Sequence, residues 1–364
     1  MGKRFIIAGG GTGGHIFPAI AIANALKEKL PDAEFLFVGA KGKMEMEKVP
    51  QAGFNIKGLD IAGFNRSSLI KNIALPRKLL QSFFQVRKIL KEFKPDAVIG
   101  VGGYSSYPVL RTAQRKNIPT FIHESNAFAG KSNMLLGKNC IKVFVATNGM
   151  ERFFPADKIL VTGNPVRKAI AEMKAEKTNA LEFFGLEKGK TTILSIGGSL
   201  GANSINHSVE AGLKQIAENN LQLIWQTGKP FAEEGKRVAG EMKNVWVNDF
   251  IKEMDMAYAA ADVIISRSGA MSVAEICLAK KPTVFVPYPF AAEDHQTFNA
   301  KVLVENNAAL MIKDSDAKGK LIDTVLELIK DKDKEELFKK NIAAFAVKNA
   351  DGKIADEIIK SLKV

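Results

Sequence analysis

Three glycine-dense turns carry the residues with the clearest chemical use. The first, Gly9-Gly10-Gly11-Thr12-Gly13-Gly14, follows the apolar run Arg4-Phe5-Ile6-Ile7-Ala8 and precedes an amphipathic stretch from Pro18 to Leu30. Such a turn lets backbone amides approach a phosphate, and a helix start beyond it adds a positive dipole end. Gly9-x-Gly11-x-x-Gly14 has the spacing of the dinucleotide fingerprint, yet the second apolar run, Phe35-Leu36-Phe37-Val38, ends in Gly39-Ala40. The fingerprint needs an acidic residue there to hold a ribose hydroxyl, so a nicotinamide cofactor is discounted. A turn made tight for packing alone is the plain alternative. His15 stands at the mouth of this turn, where a neutral imidazole suits a general base toward a sugar hydroxyl. A histidine that caps the helix or bonds a carbonyl is its alternative.

The second turn, Gly100-Val101-Gly102-Gly103-Tyr104, also follows an apolar run, so one half of the chain offers two sets of amides to a diphosphate-bearing ligand. His123-Glu124-Ser125-Asn126 closes the run Thr120-Phe121-Ile122, either as a crevice loop or as an ordinary turn. The third turn, Gly197-Gly198-Ser199-Leu200-Gly201-Ala202, restarts the grammar of the first. Farther on, Ser266-Arg267-Ser268-Gly269 leads into Ala270-Met271-Ser272-Val273-Ala274-Glu275. A helix starting after Gly269 aims its amides at a diphosphate and puts Glu275 within reach of a ribose diol; a solvated helix glutamate is the alternative. Gln296 and Asn299 are placed to read sugar hydroxyls. Asp314-Ser315-Asp316 has the carboxylate pair of some metal-dependent nucleotide-sugar enzymes, but it lies in a charged loop beside Lys318 and Lys320. No metal site is assigned, and leaving-group charge falls to amides, a helix end and Arg167.

The elements that must position these turns alternate apolar runs with helix-length segments. That alternation predicts an α/β fold of two doubly wound, Rossmann-like domains, each with its ligand crevice at the carboxyl ends of parallel strands. At 364 residues the chain outgrows a single core, and the turn residues Gly163-Asn164-Pro165 mark the boundary, giving domains 1–163 and 164–340 and a helical segment, 341–364. Two cysteines far apart, Cys140 and Cys277, suit a reducing compartment and neither a disulfide framework nor a thiolate metal site. No apolar run reaches the roughly 20 residues of a membrane span.

The net charge of +13 is one-sided: residues 1–164 hold 24 Lys and Arg against 11 Asp and Glu, while the remainder balances at 28 of each. The N-terminal half therefore faces something anionic. Lys71 to Lys94 locates that face, with Ile73, Leu75, Leu79, Leu80, Phe83 and Phe84 interleaved with Arg77, Lys78, Arg87 and Lys88. A basic amphipathic helix of this kind lies on an anionic bilayer. A packed helix with a solvated basic face is the alternative, and nucleic acid ranks lower because no helix-turn-helix, zinc-finger or aromatic RNA-binding pattern accompanies the charge.

Taken together, Gly10-Gly11-Thr12-Gly13-Gly14-His15, Gly102-Gly103-Tyr104, His123-Glu124 with Asn126, Thr162 to Arg167, Gly197-Gly198-Ser199, Arg267 to Ala270 with Glu275, and Asp294 to Thr297 with Asn299-Ala300 closely resemble the peptidoglycan N-acetylglucosaminyltransferases of glycosyltransferase family 28. The resemblance runs from residue 5 to about residue 312, in order. It implies a GT-B fold whose two domains face a central cleft, the C-terminal helix packing back on the N-terminal domain. It further implies inverting transfer of N-acetylglucosamine from a UDP donor to the MurNAc 4-hydroxyl of the undecaprenyl-pyrophosphoryl acceptor, lipid I, giving lipid II. By position, Thr12, Gly13, Gly14, Asn126, Arg167, Ser199, Ile251, Ala270, Met271, Ser272, Val273, Ala274, Glu275 and Gln296 then contact UDP-N-acetylglucosamine, and His15 is the candidate base. Gly102, Gly103 and Tyr104 form the acceptor-side diphosphate loop. Where the family often has Gln after the third turn's serine, this chain has Leu200, which removes a side-chain contact but no amide. The resemblance also implies a peripheral place on the cytoplasmic face of the inner membrane, no cofactor, magnesium as a non-essential aid at most, and cell-wall synthesis and division proteins as partners. The rival readings are another GT-B enzyme, such as a glycolipid synthase or a UDP-sugar epimerase, and a non-enzymatic membrane-surface binder.

Overall fold

Short apolar runs buried on both faces become parallel strands, and the amphipathic segments between them become the helices that cover the two faces. The computed structural model describes residues 2–63, 72–73, 75–198 and 200–363. The chain divides into one unit of residues 1–167 with 349–364 and a second of residues 168–348.

The first unit runs β1 (Arg4–Ala8), α1 (Gly13–Lys29), β2 (Glu34–Ala40), α2 (Glu45–Gln51), β3 (Asn55–Leu59), α3 (Leu75–Phe93), β4 (Ala97–Gly100), α4 (Ser106–Arg115), β5 (Thr120–Glu124), α5 (Lys131–Gly137), β6 (Lys142–Val145) and β7 (Ile159–Val161). Its strands pair in parallel in the order β3-β2-β1-β4-β5-β6-β7. Alternation sorts the side chains of β1 between two cores. Phe5 and Ile7 face Ile16, Ile22 and Leu26 of α1, while Ile6 and Ala8 face Val86, Ile89 and Leu90 of α3 and Leu110 of α4.

The second unit runs α6 (Lys168–Ala171), α7 (Lys177–Phe183), β8 (Thr192–Ile196), α8 (Asn203–Glu218), β9 (Gln222–Gln226), α9 (Ala232–Ala239), β10 (Val245–Asn248), α10 (Met254–Ala260), β11 (Val263–Ser266), α11 (Ala270–Ala279), β12 (Thr283–Phe285), α12 (His295–Val304), β13 (Leu310–Met311), α13 (Ala317–Lys330) and α14 (Lys332–Ala343). Its parallel sheet has the order β10-β9-β8-β11-β12-β13. Ile193, Trp225 and Ile265 pack there with Val209 and Leu213 of α8 and Leu321 and Val325 of α13.

The last helix, α15 (Ala350–Ser361), returns to the first unit, where Ile354, Ala355 and Ile358 close the apolar face of α1. The crossings between units fall after Arg167 and after Lys348, later than the turn residues at 163 and the charge-rich segment at 340 suggest. The reason at the second crossing is α14: Phe338 and Ile342 are buried, and Phe338 belongs to the second core. Two expectations shift with the element bounds. Helix α1 begins at Gly13, not Pro18, and the basic amphipathic helix begins at Leu75, with Ile73 in a turn before it. Lys71 lies outside the described residues.

Candidate active site

In a doubly wound sheet the strand order reverses at one point, and loops leaving the strands on either side of it part to form a crevice. In the first unit that point lies between β1 and β4, from which the first and second glycine turns emerge. The two turns interlock. Gly102 takes φ +95, and a Cβ on it would lie 2.8 Å from His15 Nε2, so only glycine admits both that backbone conformation and the ring. His15 Nδ1 sits 3.2 Å from the Gly10 carbonyl oxygen and 3.4 Å from Thr12 Oγ1. A carbonyl can only accept, so its hydrogen bond requires the proton on Nδ1, and in the neutral ring the basic nitrogen is then Nε2, which faces the second turn.

The amides of these turns are only partly available. Gly9 N–H donates to the Val38 carbonyl at 3.2 Å, and Gly11 N–H donates to Glu45 Oε2 at 2.9 Å. The amides of Gly10, Thr12, Gly13 and Gly14 have no partner among the described residues. Gly13 and Gly14 open α1, with Thr12 as its N-cap, so their N–H groups point out of the helix start. Pro18 cannot donate to the carbonyl four residues back, and that Gly14 oxygen instead meets Ser125 Oγ at 3.5 Å.

Beside the switch point, β5 ends in a buried polar cluster. Glu124, 3% exposed, accepts from the amides of Asn126 and Gly130, each at 3.0 Å, from Asn126 Nδ2 at 3.2 Å and from Asn133 Nδ2 at 2.8 Å. Asn126 is thereby held in place, and Asn164 Nδ2 donates to the Ser125 carbonyl at 2.9 Å. His123 is fully buried, and burial pushes its pKa down to about 4, with the Gly163 backbone opposing the shift and nearby His15 adding to it. The first unit thus gathers Thr12, Gly13, Gly14, His15, Gly102, Gly103, Tyr104 and Asn126 at one end of its sheet. Arg167 is exposed at the last position before the crossing.

In the second unit the reversal lies between β8 and β11. The third glycine turn leaves β8; Gly201 N–H closes the turn on the Gly198 carbonyl at 2.9 Å, and Gln226 Nε2 holds the same oxygen at 3.1 Å. Ser199 lies outside the described residues, and Leu200 beside it is 80% exposed. Helix α11 leaves β11 with Gly269 as N-cap, so the first-turn amides of Ala270, Met271 and Ser272 have no helical acceptor. One turn on, Glu275 is 7% exposed and accepts from Tyr258 Oη at 3.1 Å. Gln296 Oε1 accepts from the Tyr288 amide at 2.9 Å, and its backbone oxygen accepts from Ser268 Oγ at 2.8 Å. Asn299 Nδ2 reaches the Ser268 carbonyl at 3.1 Å, tying α12 to the N-terminal approach of α11. Ile251, 2% exposed, is buried in the loop after β10.

Two residues central to this geometry, Arg267 and Glu45, have no role assigned to them from the sequence. Arg267 Nη1 pairs with Asp314 Oδ1 at 2.5 Å and bonds the carbonyls of Val286 and Pro287, while Nη2 reaches Ser204 Oγ at 3.1 Å. It clamps the loops after β11 and β12 to α8. Asp314 is therefore an ion-pair partner, and Asp316 pairs with Lys320 at 3.0 Å. The other residue is Glu45, which opens α2.

Helix α3 presents Leu80 and Phe84 to solvent, 63% and 66% exposed, with Ile73 at 77% and Leu79 at 36%. Arg87 lies 5.8 Å over the Phe84 ring, and Arg77, Lys78 and Lys88 are exposed. Phe83 turns inward against Tyr107, and Leu75 is half-buried. No helix among the described residues is long and apolar enough to cross a membrane.

Comparison with known proteins adds an independent line. Residues 5–145 match the glycosyltransferase family 28 N-terminal domain, and residues 192–357 match the family 28 C-terminal domain. A protein of Bacteroides thetaiotaomicron named UDP-N-acetylglucosamine–N-acetylmuramyl-(pentapeptide) pyrophosphoryl-undecaprenol N-acetylglucosamine transferase is 52% identical over 361 residues, 98% of this chain and 97% of the relative. The crystal structure of Acinetobacter baumannii MurG is similar with a TM-score of 0.81 at 31% identity, covering 98% of this chain and 99% of that one. A UDP-GlcNAc 2-epimerase from Neisseria meningitidis bound to UDP-GlcNAc has a TM-score of 0.66 at 14% identity over 98% of this chain and 100% of that one, a likeness of fold alone.

Proposed function

The chain belongs to glycosyltransferase family 28, and from that membership we propose that it transfers N-acetylglucosamine from UDP-N-acetylglucosamine to the MurNAc 4-hydroxyl of undecaprenyl-pyrophosphoryl-MurNAc-pentapeptide, forming lipid II. The observation that carries this reading is identity of 52% across 98% of the chain to a transferase of that name. The geometry of each unit supplies a matching part.

In the second unit, the first-turn amides of Met271 and Ser272 in α11 receive the diphosphate, and Glu275 accepts from the ribose hydroxyls. As the bond to the anomeric carbon breaks, charge develops on the departing UDP, and fixed amides need no reorganisation to meet it. In the first unit, His15 takes the proton from the acceptor hydroxyl through Nε2 while the Gly10 carbonyl holds Nδ1–H. The hydroxyl oxygen then displaces UDP with inversion. Gly102, Gly103 and Tyr104 line the acceptor side, and the exposed apolar and basic face of α3 rests on the anionic cytoplasmic surface of the membrane that carries the acceptor.

Incubation with labelled UDP-N-acetylglucosamine and a short-chain lipid I analogue tests the reading. A disaccharide-bearing lipid product is expected. Release of free sugar or of an epimerised nucleotide sugar, with no lipid product, would overturn it.

A further inference from the structure

We propose that Glu45 is a positioning residue for the first glycine turn, a role that rests on the transferase reading and assigns it one more working part. The side chain is 1% exposed and stands at the carboxyl end of the sheet, where it joins two separate segments. Oε1 accepts from the Ala40 amide at 2.9 Å, at the end of β2, and Oε2 accepts from the Gly11 amide at 2.9 Å, within the turn after β1. Two N–H donors approaching the two oxygens of one carboxylate hold it, and what it holds, in a single arrangement.

The surrounding glycines are cut to this group. A Cβ on Gly10, which takes φ +147, would overlap the Glu45 carboxyl, and one on Gly39 would come within 2.5 Å of its Cγ. Both positions therefore exclude a side chain because Glu45 occupies the space. The carboxylate has a further consequence for chemistry. Gly10 lies between the residue it holds and the end of β1, and the Gly10 carbonyl is the acceptor that orients His15 Nδ1. Fixing Gly11 fixes that carbonyl, and with it the direction of Nε2. The acid that a dinucleotide site would offer to a ribose at the end of β2 is thus present in space, but both its oxygens are occupied by backbone amides.

Three variants test this. Glutamine at 45 keeps the volume yet has one acceptor oxygen and an NH2 group, so one of the two amides loses its partner. For E45Q we expect turnover to fall roughly tenfold or more while UDP affinity by calorimetry stays within about twofold, because the loss falls on the orientation of the base. Amide hydrogen exchange should quicken in residues 9–14 and 38–41 and nowhere else. For E45A, whose emptied site has room for a small carboxylate, formate should restore part of the turnover where chloride at equal ionic strength does not; in E45Q, whose site is filled, neither should. Shortening by one methylene in E45D should resemble E45Q. Turnover of E45Q within about twofold of wild type, or a loss shared equally by UDP affinity and by exchange throughout the unit, overturns the proposal. Should E45A fail to fold, E45Q decides. If the wild-type chain itself transfers no sugar, the transferase reading falls, and the role of Glu45 stands or falls on whether exchange quickens in those two segments.

Discussion

The phenol of Tyr258 donates to Glu275 Oε2 at 3.1 Å, with Tyr258 fully buried and Glu275 nearly so. A helix glutamate that the sequence would allow to wander in solvent is instead braced from α10. Tyr258→Phe removes one neutral donor to a carboxylate and little volume. UDP affinity should fall by roughly threefold to tenfold. Glu275→Ala should lower it further and also destabilise the unit, since the Tyr258 hydroxyl is left buried without that acceptor. Calorimetry with UDP measures both, and equal affinity in all three proteins would remove Glu275 from the donor site.

His15→Ala should reduce turnover by roughly 100-fold to 10,000-fold, the usual range for a general base, with UDP affinity nearly unchanged. Steady-state rates beside UDP titrations separate the two effects. Turnover close to wild type would take His15 out of the chemistry.

His123 predicts an acid-sensitive first unit. Its folded pKa is lowered from 6.5 to about 4, chiefly by burial, so in the folded state the ring stays neutral where the unfolded chain would protonate it. Both states are neutral above pH 6.5, and the stability there is complete. As pH falls from 6.5 toward 4 the unfolded chain binds the proton first, and stability drops with a slope approaching one proton. Urea unfolding across that window measures the slope. A His123→Gln variant should show a shallower one, and an identical slope would mean other groups govern the acid limb.

Leu80→Glu with Phe84→Glu should weaken binding to vesicles of anionic phospholipid by roughly tenfold or more per residue, given the apolar area each side chain can bury. Transfer to a water-soluble acceptor analogue should persist. Co-sedimentation checks the first and product analysis the second; undiminished vesicle binding would leave α3 a merely solvated face.

The central strands and the glycine turns were readable before the fold was known because both are governed by local rules: unbroken apolar runs for strands buried on two faces, glycine where backbone must bend or be approached. The strands with the weakest sequence signal, β3, β7, β10 and β13, are the edges of the two sheets. In β3, Asn55-Ile56-Lys57 breaks the apolar pattern, while β7, β10 and β13 are largely apolar but only three, four and two residues long, and their residues are only partly buried. Glu45 and the Arg267–Asp314 pair were hidden for another reason. Glu45's partner in the first turn, Gly11, and Arg267's partner, Asp314, lie 34 and 47 residues away, and nothing in a charged side chain's neighbours along the chain says that it will be buried. The start of α1 at Gly13 was masked by the very glycines that make the turn, since glycine weakens a helix signal even where it opens one.

Helix α15 makes the first unit discontinuous, and this bears on how the nascent protein matures. A ribosome delivers residues 1–167 first, but the apolar face of α1 stays only partly covered until Ile354, Ala355 and Ile358 emerge, by which time every residue of the second unit has been made. The second unit, continuous in sequence, should therefore acquire its native packing earlier, although it is synthesised later. A chain ending at Lys348 is expected to keep residues 168–348 resistant to protease while residues 1–167 are cut. Uniform resistance of both would show that α1 needs no such cover.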